Sequence, residues 1–210
     1  MKYLIIPTNK LFYKKWVYKI ECHVHKAYSI KYFLREFRTN EANQIADVLL
    51  SIKELGDFQT RVEGSHFNIY CNSKVVFDKI VESLSQYIRC VCVPQSDQEK
   101  DFLLGNGNRK IIKDKYYKNI YQYRIYLKDS LDKFSRKRFY EWISRYDETK
   151  FYISGNSLKW ITGNINYAAN PCIYAANSSA LSMICLYLGE NIKYTEEFIL
   201  RSSINTPSET

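Results

Sequence analysis

Tyrosine and cationic side chains recur on short strand-like segments of this 210-residue chain, and they are the residues best suited to ligand chemistry. The segment YQYRIYLK places Arg124, Tyr126 and Lys128 on one side of an extended strand, because successive side chains of a strand point to opposite faces. Tyr70 and Tyr174 each follow an isoleucine in two further strand-like segments. Aromatic rings stack on unpaired bases and cations attract phosphates, so this combination predicts binding of single-stranded nucleic acid.

Positive charge is concentrated in two segments of the chain, whose formal net charge is +9. Residues 1–16 carry four lysines and no acid, and residues 105–120 carry four lysines and one arginine against one aspartate. A basic surface favours polyanions, although it also serves solubility. In RKIIKDKYYKNIYQYR the lysines are interleaved with tyrosines, a pattern that fits either a phosphate-tracking surface or a solvated linker. The predicted phosphate contacts of these segments are Lys14, Lys15, Arg109, Lys110, Lys113 and Lys115.

Three histidines form the second candidate site. His23 and His25 are two residues apart on a predicted strand, so both imidazoles point the same way, and His66 opens a neighbouring strand. The His-Val-His spacing resembles the His-hydrophobe-His motif of replication-initiator and relaxase nucleases, which hold a divalent cation and attack single-stranded DNA with a tyrosine. That resemblance implies Tyr28 as the nucleophile. However, Tyr28 follows the pair too closely to lie on a separate helix, so solvated strand histidines without a metal or catalytic role are the interpretation we favour.

Two similar stretches indicate how these residues are positioned. Ser65–Pro94 and Pro171–Leu200 both read as strand, helix, strand, and in both an Ile-Tyr pair is followed closely by Asn-Ser. Self-similarity at so long a period predicts one supersecondary unit used twice. The order in each half is β-α-β-β-α-β, with alternating strands such as Trp16–Lys26 and helical apolar spacing after Ser73.

The predicted fold class is α+β: a tandem pair of ferredoxin-like, RRM-like units with antiparallel sheets and helices on one face. Asn40 to Leu55 and Ser73 to Leu84 are predicted as the first pair of helices. In the second half we expect a helix from Ser135 to Tyr146, a strand from Lys150 to Ile161, and a helix capped by Ser178 or Ser179. The predicted divisions are 1–94 for the first unit with a basic arm, 95–119 for a basic linker, 120–201 for the second unit, and 202–210 for a polar tail.

Helices on one side of each sheet leave the other side bare, and Tyr70, Tyr174 and Arg124 are predicted on that side. The arrangement resembles the architecture of RNA-recognition modules, but SHFNIYCN and NPCIYAAN do not match the aromatic signature of those modules. The alternative is that these tyrosines pack against the sibling sheet or another subunit. A short Lys110–Ile112 strand beside the N-terminal strand is also expected.

Six cysteines lie in or beside apolar patterns, with no CxxC pair. Together with the lack of a secretory leader, this predicts reduced, buried thiols in a cytoplasmic, reducing compartment. No segment approaches the roughly 18 apolar residues of a spanning helix, so no membrane association is expected. The Lys-, Asn-, Ile- and Tyr-rich vocabulary suggests an AT-rich genome such as that of a virus or phage.

The function predicted from these patterns is non-catalytic binding of single-stranded RNA or DNA, without a cofactor. A structural or assembly subunit of a viral, phage or ribonucleoprotein particle is the first alternative, in which the tyrosine-rich faces contact a protein partner or a second copy. The second alternative is a metal-dependent nuclease that uses His23 and His25.

Overall fold

The computed structural model describes residues 3–23, 40–63, 66–106 and 109–205, with the side chains of the first helix described from residue 43 onward. The chain divides into two compact units, Met1–Gly107 and Asn108–Thr210, here called the first and second units. Each unit contains one five-stranded mixed sheet, so the α+β class predicted from the sequence is confirmed. His25 and Tyr28 lie outside the described residues.

The first unit is built on the strand order β1-β5-β2-β4-β3. Strand β1 runs parallel to β5, and every other neighbouring pair is antiparallel. The strands are β1 (Leu4–Pro7), β2 (Tyr18–His23), β3 (Phe58–Glu63), β4 (His66–Cys71) and β5 (Ile88–Val93). The helices are α1 (Asn40–Ser51), α2 (Lys74–Leu84) and α3 (Asp97–Asn106).

The second unit repeats this arrangement with the order β6-β10-β7-β9-β8, and its edge strand β6 runs parallel to β10. The expectation of purely antiparallel sheets is therefore wrong, because each unit adds a parallel strand at one edge. The strands are β6 (Lys110–Lys113), β7 (Tyr123–Leu127), β8 (Phe151–Ile153), β9 (Cys172–Ala175) and β10 (Ile192–Leu200). The helices are α4 (Lys133–Ile143), α5 (Gly155–Ile161), α6 (Ser178–Leu188) and α7 (Arg201–Ile204).

The helices of the second unit cover one face of its sheet. Ile125 and Ile173 from the two central strands belong to the same buried cluster as Phe139 of α4, Trp160 of α5 and Ile184 of α6. Each such side chain contributes roughly 1.5–3 kcal/mol when fully buried. The intervening strand residues point to the opposite face, which carries the candidate site.

Helix α2 packs in the same way in the first unit. Ser73 caps it by accepting a hydrogen bond from the Val76 backbone N–H at 3.4 Å, as the sequence predicts. Its buried residues include Phe77, whose ring lies 4.9 Å from that of Tyr18 on β2. The alternation predicted for β2 is confirmed, since Tyr18, Ile20 and Cys22 are buried while the residues between them are more exposed.

Two predicted elements of the second unit differ in the structure. The strand expected over Lys150–Ile161 is wrong beyond Ile153, because α5 begins after Ser154 and buries Ser157, Trp160 and Ile161 at helical spacing. Helix α6 is capped by Asn177, whose side chain accepts from the Ala180 N–H at 2.9 Å, and not by Ser178 or Ser179.

The stretch expected to be a linker, 95–119, contains helix α3 and strand β6. Strand β6 pairs with β10 of the second unit, so its expected pairing with the N-terminal strand is wrong. The expected polar tail begins with the helical turn α7, and residues 206–210 lie outside the described part. No helix in the described residues is long and apolar enough to cross a membrane.

The prediction that the cysteines are buried is confirmed for four of the six and is wrong for Cys172 and Cys185. Cys22, Cys71, Cys90 and Cys92 are buried, Cys172 is half-buried, and Cys185 is exposed. Helix α6 buries Ala180, Ile184 and Leu188, which places Cys185 just outside the buried stripe. Burial raises the pKa of the Cys22 and Cys71 thiols to about 12 and that of Cys92 to about 11.

We predict that a thiol reagent at pH 8 modifies Cys185 first in the native protein. The raised pKa values keep Cys22, Cys71 and Cys92 as thiols at that pH, and the thiolate is the reactive form. Mass spectrometry after brief labelling should show one fast site, which Cys185→Ser removes. All six cysteines should react in urea. Fast native labelling of Cys22 or Cys71 would contradict the packing described here.

Candidate nucleic-acid interface

A tight turn precedes the first central strand of each unit. In the first turn, residues 12–16, the Trp16 N–H donates to the Phe12 carbonyl at 2.9 Å, and the two residues form a β-bridge. In the second turn, residues 117–121, the Tyr121 N–H donates to the Tyr117 carbonyl at 3.0 Å, and those two residues are bridged likewise. The same turn is therefore used at equivalent places in both units.

Both turns require two successive residues with positive φ. These are Tyr13 and Lys14 in the first turn, at 50° and 62°, and Lys118 and Asn119 in the second, at 50° and 63°. Residues other than glycine adopt this region at a cost of roughly 1–3 kcal/mol each. The surrounding contacts must offset that cost, and the most evident ones are made by the aromatic rings of the turns.

The second turn lays an aromatic ring over the sheet face opposite the helices. The Tyr117 ring stacks on that of Tyr174, with centroids 4.1 Å apart and planes 16° apart. Tyr174 belongs to a second buried cluster with Ile111, Tyr121 and Phe198. This face is therefore apolar at its centre and closed by the turn.

Tyr70 is covered in the same way in the first unit. Its ring lies 5.8 Å from Phe12 and 5.1 Å from Tyr13, the latter edge-on. Tyr70 pairs in register with Lys19 and therefore lies on the face away from the Tyr18–Phe77 contact, as predicted. The expectation that these tyrosines are bare is wrong, because Tyr70 is 3% and Tyr174 7% exposed.

A cavity of about 600 Å³ lies beside the Tyr117–Tyr174 stack. Four predicted site residues, Lys113, Lys115, Arg124 and Tyr174, meet there. The structure adds residues that were not predicted as site residues from the sequence: Asp114, Tyr116, Tyr117, Lys118 and Phe198. We call this cavity the basic–aromatic pocket.

The cations of the basic–aromatic pocket differ in their partners. Arg124 donates through Nε to Glu196 at 2.7 Å, and burial of the guanidinium is more than compensated by this pairing, so its pKa is raised. Asp114 accepts from Arg201 Nε at 2.8 Å. In the part of the chain that the structure describes, no ion pair joins Lys113, Lys115 or Lys118 to a carboxylate. Three lysine charges therefore remain for an anionic ligand.

The pocket's aromatic rings interact with these cations. Lys118 Nζ lies 3.3 Å from the centroid of Tyr152, and Lys113 Nζ lies 5.9 Å from that of Phe198. Such cation–π contacts hold the ammonium groups against the sheet while leaving their hydrogen-bond donors available. Burial raises the pKa of Tyr174 to about 12, so this hydroxyl is neutral at physiological pH.

The remaining predicted binding residues lie elsewhere. Tyr126 stacks on Tyr194 at 4.3 Å, and burial raises its pKa. Lys128 follows β7 and is exposed, and Arg109 is exposed just before Lys110, the first residue of β6. In the first unit, Lys14 and Lys15 are exposed in the first turn, with Lys15 Nζ 4.2 Å from the Trp16 ring. Of the second-unit residues among these, Tyr126, Lys128, Arg109 and Lys110 do not line the pocket.

Two of the three histidines meet in the first unit. His23 and His66 face each other across β2 and β4 with ring centroids 5.8 Å apart, and His66 Nδ1 lies 3.5 Å from Glu21. Burial of Glu21 opposes its ionisation, but the hydrogen bond from Lys19 and nearby cations lower its pKa overall. Within the described residues, no group of three or more His, Cys, Asp or Glu side chains is placed to hold a metal ion.

Tyr117 and Lys118 are the site residues that sequence reasoning did not single out. Both lie in RKIIKDKYYKNIYQYR, residues 109–124, here called the lysine–tyrosine segment, so their residue types were conspicuous. Nothing in that pattern indicates that a turn folds them back onto Tyr174 and Tyr152.

Comparison with protein-family models, curated proteins and solved structures finds no match to this chain. The function of the basic–aromatic pocket is therefore inferred from its own geometry and charge.

We predict that Tyr117→Ala lowers the free energy of unfolding by about 1–3 kcal/mol, because it removes the ring that covers Tyr174. Urea denaturation of the full chain measures this loss. Tyr167→Ala in the same unit is the matched control, since Tyr167 is 69% exposed and its loss should change stability by no more than about 0.5 kcal/mol. Equal losses for the two variants would show that the stack does not stabilise the unit.

Proposed function

We propose that the protein binds single-stranded nucleic acid without catalysing a reaction, and that the basic–aromatic pocket of the second unit is the main contact. The observation that carries this proposal is the convergence of three lysines beside an aromatic stack in one open cavity. Each part of that arrangement matches one part of a nucleotide chain.

The lysines match the phosphates. Lys113, Lys115 and Lys118 line one cavity, and Asp114, its one lining carboxylate, is held by Arg201. Phosphate contacts of this kind release counterions and supply affinity that does not depend on base sequence. The pocket therefore supports binding to RNA or DNA of many sequences.

The tyrosines match the bases. Tyr117 is 38% exposed although it stacks on Tyr174, so part of its ring is accessible to a ligand. Stacking of a base on an aromatic side chain is worth about 1–3 kcal/mol, and every base can provide it. The stacking role expected of Tyr70, Tyr126 and Tyr174 passes to Tyr117 in this proposal, because those three rings are largely covered.

The architecture is consistent with this role. We propose that each unit is a ferredoxin-like, RRM-like module with one extra edge strand, since the strands of each β-α-β-β-α-β run occur in the order fourth, first, third, second. In such modules the face away from the helices is the surface that contacts nucleic acid. The pocket lies on that face of the second unit.

Cations of the second unit outside the pocket extend the proposed surface. The exposed Arg109 and Lys128 and the half-buried Lys110 would contact phosphates on either side of the bound segment. The residues that line the pocket include one carboxylate and no histidine. This composition suits binding of phosphate rather than its hydrolysis.

The test compares wild type with a variant carrying Lys113→Gln, Lys115→Gln and Lys118→Gln. Fluorescence anisotropy with oligo-U and oligo-dT should show at least a tenfold loss of affinity at 50 mM salt. The slope of log K against log salt should fall by about 2, because each single-strand phosphate contact contributes about 0.7.

The matched control replaces Lys133, Lys137 and Lys159 with Gln, which removes the same charge from exposed positions on helices α4 and α5. Its affinity and salt slope should stay close to wild type. If both triple variants lose affinity equally, the binding follows net charge and not the pocket. Wild-type affinity that is unmeasurable at low salt, or indifferent to salt, refutes the function itself.

A further inference from the structure

The two units provide an internal comparison, because the same turn and the same sheet register occur in both. Lys19 pairs with Tyr70 in the first unit, and Arg124 pairs with Tyr174 in the second. Side chains at matching positions can therefore be compared directly. The comparison shows that the two faces have different electrostatics.

In the first unit, the position after the bridged aromatic residue is Tyr13, whose hydroxyl accepts from Arg61 and donates to Glu63 at 3.5 Å. Arg61 Nε also lies 3.0 Å from Glu63. Lys19 pairs with Glu21 at 2.9 Å on the same face. Arg61 and Lys19 on this face thus each have a carboxylate partner within their own unit.

In the second unit, the position matching Tyr13 is Lys118, and the position matching Gln59 on the edge strand is Tyr152. Lys118 lies over the Tyr152 ring and makes no ion pair within the described residues. The Tyr13–Arg61–Glu63 network of the first unit is thus replaced in the second unit by a cation that lies against an aromatic ring. The change leaves both charge and ring surface for a ligand.

The size of the basic–aromatic pocket limits what it can hold. A volume of about 600 Å³ falls within the range of small-molecule sites, about 300–1,000 Å³. Lys113, Lys115 and the partly exposed ring of Tyr117 line the same cavity. One phosphate and one stacked ring suit this space.

We infer that the pocket is a mononucleotide site: it takes one nucleoside monophosphate, free or as one residue of a strand, and each chain has one such site despite its duplicated architecture. This inference rests on the proposed function and deepens it. The phosphate is held by Lys113, Lys115 and Lys118, and the base stacks on Tyr117. We expect no equivalent site in the first unit, because Arg61 and Lys19 on the matching face are paired with carboxylates.

The experiment titrates the full chain with uridine 5′-monophosphate, uridine and inorganic phosphate at low salt, and follows binding by NMR shifts and displacement of labelled oligo-U. The monophosphate should saturate at one per chain and bind at least tenfold more tightly than uridine or phosphate alone. Tyr117→Ala should weaken it roughly tenfold, since the base loses its stacking partner, while Tyr117→Phe should keep most of the affinity.

Lys118→Gln is the second variant, and it preserves the aromatic stack if Tyr117→Ala proves too unstable. It should weaken the monophosphate and inorganic phosphate but leave uridine unchanged. Two equivalent sites per chain, or phosphate that binds as tightly as the monophosphate, would overturn the inference.

The outcomes also separate this inference from the proposed function. If oligo-U binds through the pocket lysines but the monophosphate does not displace it at about 10 mM, the mononucleotide site is wrong and strand binding stands. If the monophosphate binds once per chain and oligo-U does not, the site stands and strand binding falls. If neither ligand binds, both are wrong.

Discussion

Each sheet in this protein packs helices against one face, and on the other face the rings of an aromatic turn contact a central tyrosine, Tyr70 in the first unit and Tyr174 in the second. In the second unit, the Tyr117 ring stacks on Tyr174, a member of the buried apolar cluster on this face. The turn holds two residues at positive φ, an arrangement that costs free energy by itself. The backbone strain and the ring stack are therefore linked, because the stack offsets the cost of the conformation that creates it.

The same scaffold closes its open face with two different chemistries. In the first unit, Tyr13 joins Arg61 and Glu63, so the charges there satisfy one another. In the second unit, Lys118 rests on Tyr152 and its charge is not neutralised by a neighbouring carboxylate in the described residues. A cation beside low-dielectric aromatic surface is screened less than one in bulk water, so it attracts an anion more strongly. The electrostatic difference between the units arises from a few side chains and not from their backbones.

Local patterns allowed much of the fold to be predicted from the sequence. The alternation of β2, the Ser73 cap and the repeated strand–helix–strand order depend on neighbouring residues, and they led to the correct fold class. The failures involve partners distant in sequence. The burial of Tyr70 depends on Phe12 and Tyr13, and the place of β6 depends on β10, more than 80 residues later. Periodicity identifies a face of a strand but not what covers it.

The lysine–tyrosine segment shows why only some of the pocket residues could be predicted from the sequence. Its residue types fit a solvated linker and a ligand surface equally well, and its fold combines an edge strand with a turn. Within that turn, Tyr117 stacks on Tyr174 and keeps part of its ring exposed, so natural variation there would be constrained by stability. The Lys118 ammonium group lies over the Tyr152 ring, and the equivalent turn of the first unit folds with Tyr13 in its place. The fold does not require a lysine at this position, and its presence is therefore more informative about binding than the tyrosine beside it.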